Sequence, residues 1–327
     1  MTYTPSPHHE HEERERVEGE RRAREERRER GGTTVEESLA CLQTWKEAMS
    51  EVSYHEDFSR VSRSMLSTLK ESPRLYYELY VARSRRSSPP TAAMTRGTRF
   101  ELLLMDPIGY RERYAIAPQC GPAGEPWDRR KTEHKRAWAE WSEGNAGKEH
   151  VTTEEHNELL AMVAGALRHP EIDRVATAEG QLQHRLDWND PVTGTPCKSL
   201  MDKSFVENDL IVDIKTAEDP SPEAFSRSVA RYGYHRQEAW YRLGYRIHFD
   251  ETPRFLFCVV GSKPPYDAAV YELDDAAMEA GQSENEHLLS RLVELTASGE
   301  WLPSWGKGVV TLSLPRWHNA FASEVYE

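Results

Sequence analysis

Residues 197–216, CKSLMDKSFVENDLIVDIKT, constrain this chain more than any other stretch. Leu210, Ile211, Val212 and Ile214 form a short apolar run, largely β-branched, of the kind found in buried strands. Glu207-Asn208-Asp209 is a polar turn cluster in front of it, and Met201, Ser204, Phe205 and Val206 suggest the partner strand. With the turn centred on Glu207-Asn208, Asp202 stands opposite Asp213 on one face of a hairpin. Lys215, two residues on, shares that face by the period-2 alternation. Like charges directly opposite on a sheet repel. Such a pair is best tolerated with a cation between the carboxylates, and hard oxygen ligands suit Mg²⁺ or Mn²⁺. The hairpin therefore predicts a metal-dependent site.

Length and composition narrow the alternatives. The chain has 327 residues, enough for one large domain or two small ones. A net charge of -13 argues against a protein that coats nucleic acid by bulk charge, while leaving room for a local basic groove. Cys41, Cys120, Cys197 and Cys258 are scattered and form no CxxC pair, which argues against a disulfide framework, a zinc site and an iron–sulfur cluster. That usage fits a reducing cytoplasm. No apolar run approaches the ~20 residues of a membrane span, and the polar N-terminus lacks a secretory signal. The expectation is a cytoplasmic protein with no membrane association.

Residues 1–35 interleave Glu with Arg and hold almost no apolar side chains, so they read as a disordered or solvated charged tail. Its histidines could bind a metal loosely, but a solvated tail is the plainer reading. Residues 36–52 have the spacing of an amphipathic helix, with Leu39, Leu42, Trp45 and Met49 on one side. A helix starts at Ser62 or Ser64, and Ser72-Pro73 breaks and restarts it. Gly97 leads into a helix with Phe100, Leu103 and Leu104 inward, ended by Asp106-Pro107. A helical piece lies around 135–141, and another helix over 151–169 is stopped by His169-Pro170. AEGQLQHRLDW alternates: Leu182, His184, Leu186 and Trp188 on one face, Glu179, Gln181, Gln183 and Arg185 on the other. After Lys215 a helix runs to about Tyr232, Gly233 interrupts it, and a second helix follows. Residues 254–262 read as a buried strand and 275–298 as a polar helix. The alternating signals predict an α/β fold, a central mixed sheet of about four or five strands flanked by helices. The folded domain spans 36–327, with its core at about 95–265.

In chain order the polar residues run Glu101, Glu179, Asp202, Asp213-Ile214-Lys215, then Gln237 and Tyr241. That is the layout of a metal-dependent phosphodiesterase site. A scissile phosphate needs cations to neutralise developing charge and to lower the pKa of an attacking water. Asp202 and Asp213 are oxygen ligands, and the carbonyl of Ile214 adds another. Lys215 is placed to orient or deprotonate the water and to steady the phosphate. Gln237 and Tyr241, spaced i,i+4, share a helix face. Each has a plainer reading. Asp213 and Lys215 can be a surface ion pair at a strand end. Glu101 can be a solvated helix residue and Glu179 a polar-face strand residue. Gln237 and Tyr241 can be ordinary interfacial polarity. Arg227, Arg231 and Arg236 can meet phosphates, but exposed arginines usually only solvate. The similar triplet Glu133-His134-Lys135 lies in a polar helical piece with no strand and reads as a decoy.

At these residues the chain resembles the PD-(D/E)XK nucleases, and within them the exodeoxyribonuclease VIII group of phage and prophage recombination enzymes. The segment MDKSFVENDLIVDIKTAEDPSPEAFSRSVARYGYHRQEAWYRLGY carries that group's ordered pattern: an Asp, an Asp-x-Lys followed by Thr, an Asp-Pro-rich turn, and Tyr-His-x-Gln followed by Tyr. The fit extends upstream through AEGQ, GTRFELLL and LKESP, covering roughly residues 60–317. Where the group usually has His on the first helix, this chain has Glu101, a carboxylate in place of a nitrogen ligand.

The resemblance implies a restriction-endonuclease-like core with Asp202, Asp213, Ile214, Glu101 and Glu179 as metal ligands and Lys215, Gln237 and Tyr241 as catalytic residues. It implies a Mg²⁺-dependent exonuclease acting 5′→3′ on double-stranded DNA ends without ATP. It further implies a ring-like homo-oligomer threading DNA and a single-strand annealing protein as partner. An endonuclease or CRISPR-adaptation-like nuclease of the same fold is the alternative, although those relatives commonly carry a cysteine cluster. A non-catalytic DNA-binding or assembly module is the third reading, disfavoured by Asp202, Asp213 and Lys215 occurring together.

Overall fold

A computed structural model describes residues 54–314, apart from 129, 304, 306 and 307. The expected tail, its histidines and the helix at 36–52 lie outside the described residues. The chain divides into two units, Met1–Asp57 and Phe58–Glu327. Of the first, only residues 54–57 are described, with the Tyr54 and His55 rings edge to face at 5.3 Å. The described helices and strands all belong to the second unit.

Two capped helices open it. Ser62 caps α1 (Arg63–Glu71), accepting from Met65 N, and Ser72 caps α2 (Pro73–Tyr76), accepting from Leu75 N. A π-helical turn (Tyr77–Val81) follows, then α3 (Ala92–Met105) and α4 (Pro107–Arg113). The chain next makes β1 (Tyr114–Ile116), α5 (Thr132–Gly144), β2 (Glu149–Val151), α6 (Thr153–Ala166) and α7 (Pro170–Thr177). The central strands are β3 (Gln181–Asn189), β4 (Pro196–Phe205) and β5 (Leu210–Ala217). Then come α8 (Pro222–Tyr232), α9 (Tyr234–Phe249), β6 (Arg254–Gly261), β7 (Ala268–Tyr271) and α10 (Asp275–Ser298).

Among the described residues the main sheet has five strands in the order β3-β4-β5-β6-β7. It is mixed: β5 and β6 run parallel and the other neighbours antiparallel. Helices cover both faces. Ile211, Phe255, Phe257 and Val259 pack with Leu66, Trp240 and Leu292, from α1, α9 and α10. Val212, Ile214, Leu256 and Cys258 pack with Phe100, Leu159 and Ile172, from α3, α6 and α7. The alternation along β5 and β6 is thus split between two cores, as a sheet buried on both sides requires.

The hairpin has the register its turn residues dictate. Phe205 pairs with Leu210, Ser204 with Ile211 and Lys203 with Val212. A short 3₁₀ turn (Val206–Asn208) and Asp209 in the left-handed region (φ 47°) close it. Gly233, at φ 68°, ends α8 and turns the chain into α9, where the sequence predicts a break.

Local reading missed some elements. α7 follows directly on the His169-Pro170 stop: His169 accepts from Glu171 N, and Pro170 takes the first helical position. Its eight residues are short for a periodic signal, yet Ile172 and Val175 are fully buried. β1, β2 and β7 span three or four residues each and leave almost no periodic trace. The helix expected to start after Gly97 begins at Ala92, capped by Thr91. Gly97 lies inside it, where a Cβ would stand 3.4 Å from Thr216 Oγ1, so α3 crosses close over the end of β5.

Candidate active site

The ladder between β4 and β5 is registered as far as Lys203–Val212, and the next pair would be Asp202–Asp213. Instead of exchanging backbone bonds there, Asp202 accepts the Ile214 N–H through Oδ2 at 2.8 Å. The ladder with β3 also skips this level, passing from Leu182–Lys203 to His184–Met201. Asp202 therefore sits at a gap in the sheet with its carboxylate inserted where a backbone carbonyl would be. Asp213 is 1% exposed, and its Oδ2 pairs with Lys215 Nζ, on the same face of β5. Burial raises the Asp202 carboxyl well above its ordinary value, and the charges of Asp213 and Glu101 raise it further. Burial opposes charge on Lys215, yet Asp213 and Asp202 outweigh it and hold the amine above its usual value.

The helix after the hairpin completes the group. Gln237 on α9 donates through Nε2 to Asp213 Oδ1. Its Oε1 accepts from Arg63 Nη2 at 2.8 Å, so the first residue of α1 reaches the site across the fold. The Tyr234 ring lies 5.0 Å from Lys215 Nζ, in cation–π contact. Tyr241 is one turn further along α9. Its ring packs at 6.2 Å on Phe255, which pairs with Ile211, so it lies towards the hairpin turn from the carboxylates.

Glu101, on α3, reaches the group from the other side. Burial and Asp213 push its carboxyl up to about 7, against Lys215 and a hydrogen bond from Gln183 Nε2 to its Oε1 at 2.8 Å. Gln183 is the β3 residue level with Asp202 and has a positive φ of 46°. That backbone is uncommon outside glycine, so the bond to Glu101 belongs to a local distortion of β3. Glu179 is exposed, ahead of β3 and four positions upstream of Gln183. The geometry thus unites Asp202, Asp213, Ile214, Lys215, Gln237 and Glu101, and leaves Glu179 and Tyr241 at the margin.

Three residues were missed by local reading: Arg63, Gln183 and Tyr234. The Tyr-His-x-Gln run was a signal for Tyr234 and the strand alternation a weak one for Gln183. Nothing local marks Arg63. Among the arginines weighed as phosphate contacts, Arg227 and Arg231 are exposed. Arg236 is 5% exposed and held by Glu284 between α9 and α10, so neither phosphate contact nor solvation describes it.

The decoy triplet is in the first turn of α5, outside the five-stranded sheet. His134 is buried there. Its Nε2 pairs with Glu125, and its Nδ1 accepts from Asp128 N at 3.0 Å, fastening the loop to the helix. Glu125, Glu133 and His134 bring ligand atoms within 4.8 Å of one another. Both ring nitrogens already hold the loop, however, so this cluster fits a metal poorly. The hairpin offers a donor set of more suitable chemistry, although its carboxylates are spread more widely than that cluster. Glu101, Asp202 and Asp213 are three hard oxygen donors near one lysine, and the carboxyls of Glu101 and Asp202 are raised by burial first and then by an acidic neighbour. A divalent cation held by these carboxylates would relieve that repulsion.

A mixed sheet carrying this constellation at a gap between antiparallel strands defines a PD-(D/E)XK nuclease fold. The sequence agrees: residues 62–307 match the family model described as PDDEXK-like domain of unknown function (DUF3799), and the chain belongs to that family. Among solved structures it is similar to a protein from Eubacterium rectale named "Putative exonuclease". The two share 13% identity with a TM-score of 0.53, over 82% of this chain and 95% of that one. No curated protein matches the sequence. Among the described residues no helix is long and apolar enough to cross a membrane.

Proposed function

We propose that the protein is a Mg²⁺-dependent exonuclease that degrades double-stranded DNA from its ends, 5′→3′ and without ATP, in phage-type homologous recombination. The observation that carries the hydrolytic part of this reading is the Asp202–Ile214 bond beside the Asp213–Lys215 pair. Two carboxylates and an amine beside one gap in the sheet support a metal-assisted hydrolytic site. Mg²⁺ or Mn²⁺ would be held by Asp202, Asp213, Glu101 and the Ile214 carbonyl, and when bound supplies charge neutralisation and an acidified water. Lys215, kept protonated by its acidic neighbours, acts as a donor that steadies the phosphate. A general base held above its ordinary value would be poorly matched to neutral pH, so its role is electrostatic. Gln237 orients Asp213 from the opposite side.

The direction, end requirement and recombination role follow from the resemblance to the exodeoxyribonuclease VIII group. So do a ring-like homo-oligomer and a single-strand annealing partner. An acidic exterior around a basic channel would reconcile DNA binding with the net charge of -13.

The test is incubation of the purified protein with linear and closed-circular duplex DNA, with Mg²⁺ or EDTA and no ATP, beside a Lys215→Ala variant. Linear DNA alone is degraded, and EDTA or the substitution abolishes this. A strand labelled at its 5′ end releases its label first. Cutting of closed circles would make the protein an endonuclease, and no metal-dependent cutting would leave a binding module.

A further inference from the structure

The chain makes an excursion over residues 117–148 between β1 and β2. Its two ends are tied together: β1 and β2 pair in parallel, Ala117 N donates to Val151 O at 2.8 Å, and Thr153 Oγ1 donates to Ala117 O at 2.8 Å. Its root is on α3. Arg99, two residues before Glu101, bonds Glu155 at 2.6 Å and lies 3.8 Å from Glu149 at the start of β2. The strand that closes the excursion is therefore tied by Arg99 to the helix that carries Glu101.

It holds a pocket of about 510 Å³ lined by Trp127, His134, Lys135 and Trp138. That is within the size usual for small-ligand sites, roughly 300–1,000 Å³. The Trp127 and Trp138 rings stand perpendicular, 5.7 Å apart, and Trp141 backs Trp138 at 5.0 Å. Trp138 is 38% exposed, an open ring where a purely structural indole would be covered. The Trp127 N–H is spent on Pro118 O at 2.7 Å, and His134 is spent on its loop, so the wall offers π faces more than donors. The rim carries exposed Arg130, Lys131, Lys135 and Arg136, interleaved with the exposed acids Glu133 and Glu140. Arg130 and Arg136 are matched by Asp128 and Glu140, while Lys131 and Lys135 form no ion pair among the described residues.

We infer that this pocket holds an unpaired base of a DNA strand, stacked on the open face of Trp138 with its edge against Trp127, and with Lys135 beside its phosphate. Every base has a π face, which makes stacking on indole independent of sequence, and a neighbouring cation adds phosphate attraction. The base must be unpaired because its faces are covered by neighbours in a duplex. An exposed lysine lining an aromatic wall suits a polyanion with planar groups better than an apolar peptide. The choice of DNA as ligand rests on the nuclease reading above. The excursion would then grip single-stranded DNA.

The experiment uses the full chain carrying Lys215→Ala, in EDTA, titrated with fluorescent oligothymidylate and separately with a blunt duplex while anisotropy is followed. Adding Trp138→Ala weakens oligothymidylate binding by about 10- to 100-fold, the scale of one lost base–aromatic stack. Trp138→Phe retains most of the affinity. Lys135→Glu, an exposed change that leaves packing alone, also weakens it and flattens its salt dependence. Neither Trp138→Ala nor Lys135→Glu alters duplex affinity. The inference is overturned if the parent does not bind oligothymidylate, if both substitutions bind like the parent, or if duplex binding falls in step. Binding is read without cleavage, so these outcomes leave the nuclease reading standing; that reading fails only in the linear-versus-circular assay.

Discussion

Arg63 Nη2 donates to Gln237 Oε1 at 2.8 Å, and this bond decides which way the Gln237 amide faces. With the oxygen turned to Arg63, the amide nitrogen is left to donate to Asp213. A reversed amide would set two oxygens against each other beside an already crowded group of acids.

Arg63→Ala should therefore lower the single-turnover cleavage rate by about 10- to 100-fold, the scale of a misplaced positioning group. Melting temperature should change little, because Arg63 is on a helix end and outside the cores. Arg63→Lys should recover part of the rate. Equal rates in all three proteins would refute the positioning role.

Glu101 gives metal binding a pH dependence. Its carboxyl is pushed up to about 7 by burial and by Asp213. A ligand carboxylate must be deprotonated, so Mg²⁺ affinity should rise with pH through about 7 and level off above it, with proton release in that window. The metal-free fold has the opposite slope. A raised carboxyl means the folded state binds more protons than the unfolded one, so stability falls as pH rises from about 4.5 to about 7. Calorimetry in buffers of different ionisation enthalpy reads the proton release, and Glu101→Gln should reduce it, leaving the share from Asp202.

Gly281 tests how α9 is held. A Cβ at this α10 position would overlap the backbone carbonyl of His235, which cannot move aside without shifting α9. Gly281→Ala should cost about 1–3 kcal/mol in thermal or denaturant unfolding. Because Gln237 is on the same turn of α9, cleavage should fall as well. A variant as stable as the parent would show that the two helices are less tightly engaged.

His184 should contribute to acid lability. It is 5% exposed, hydrogen-bonded to Ser204 at 2.6 Å, and pushed down to about 4 by burial and by His248. A histidine depressed in the fold stabilises it above the unfolded value of about 6.5, and that contribution is lost as pH falls through about 4. The loss approaches about 3 kcal/mol for one such group. Urea midpoints between pH 7 and 4 should slope less steeply in His184→Gln, and an unchanged slope would assign the acid sensitivity elsewhere.

The legible parts of this protein were local ones. The turn at 206–209 and the apolar runs on either side of it set the hairpin register, because a one-residue slip would carry every side chain to the wrong face. The break at Gly233 and the ends of α10 were marked by residues with their own conformational preferences. α7 and β7 carried too few residues for a period to show.

By itself, then, the sequence determined the two-sided sheet, the pairing of Asp202 against Asp213, and the placing of Lys215 beside them, since each depends on neighbours in the chain and on the period of a strand. Tertiary structure decided what surrounds those three residues. Arg63 meets Gln237 across 174 positions, Gln183 leaves its strand alternation to reach Glu101, and Glu179 remains exposed outside β3. No periodicity links such residues. They are brought together by helices packing on the two faces of the sheet, and the sequence specifies that only through the whole core at once.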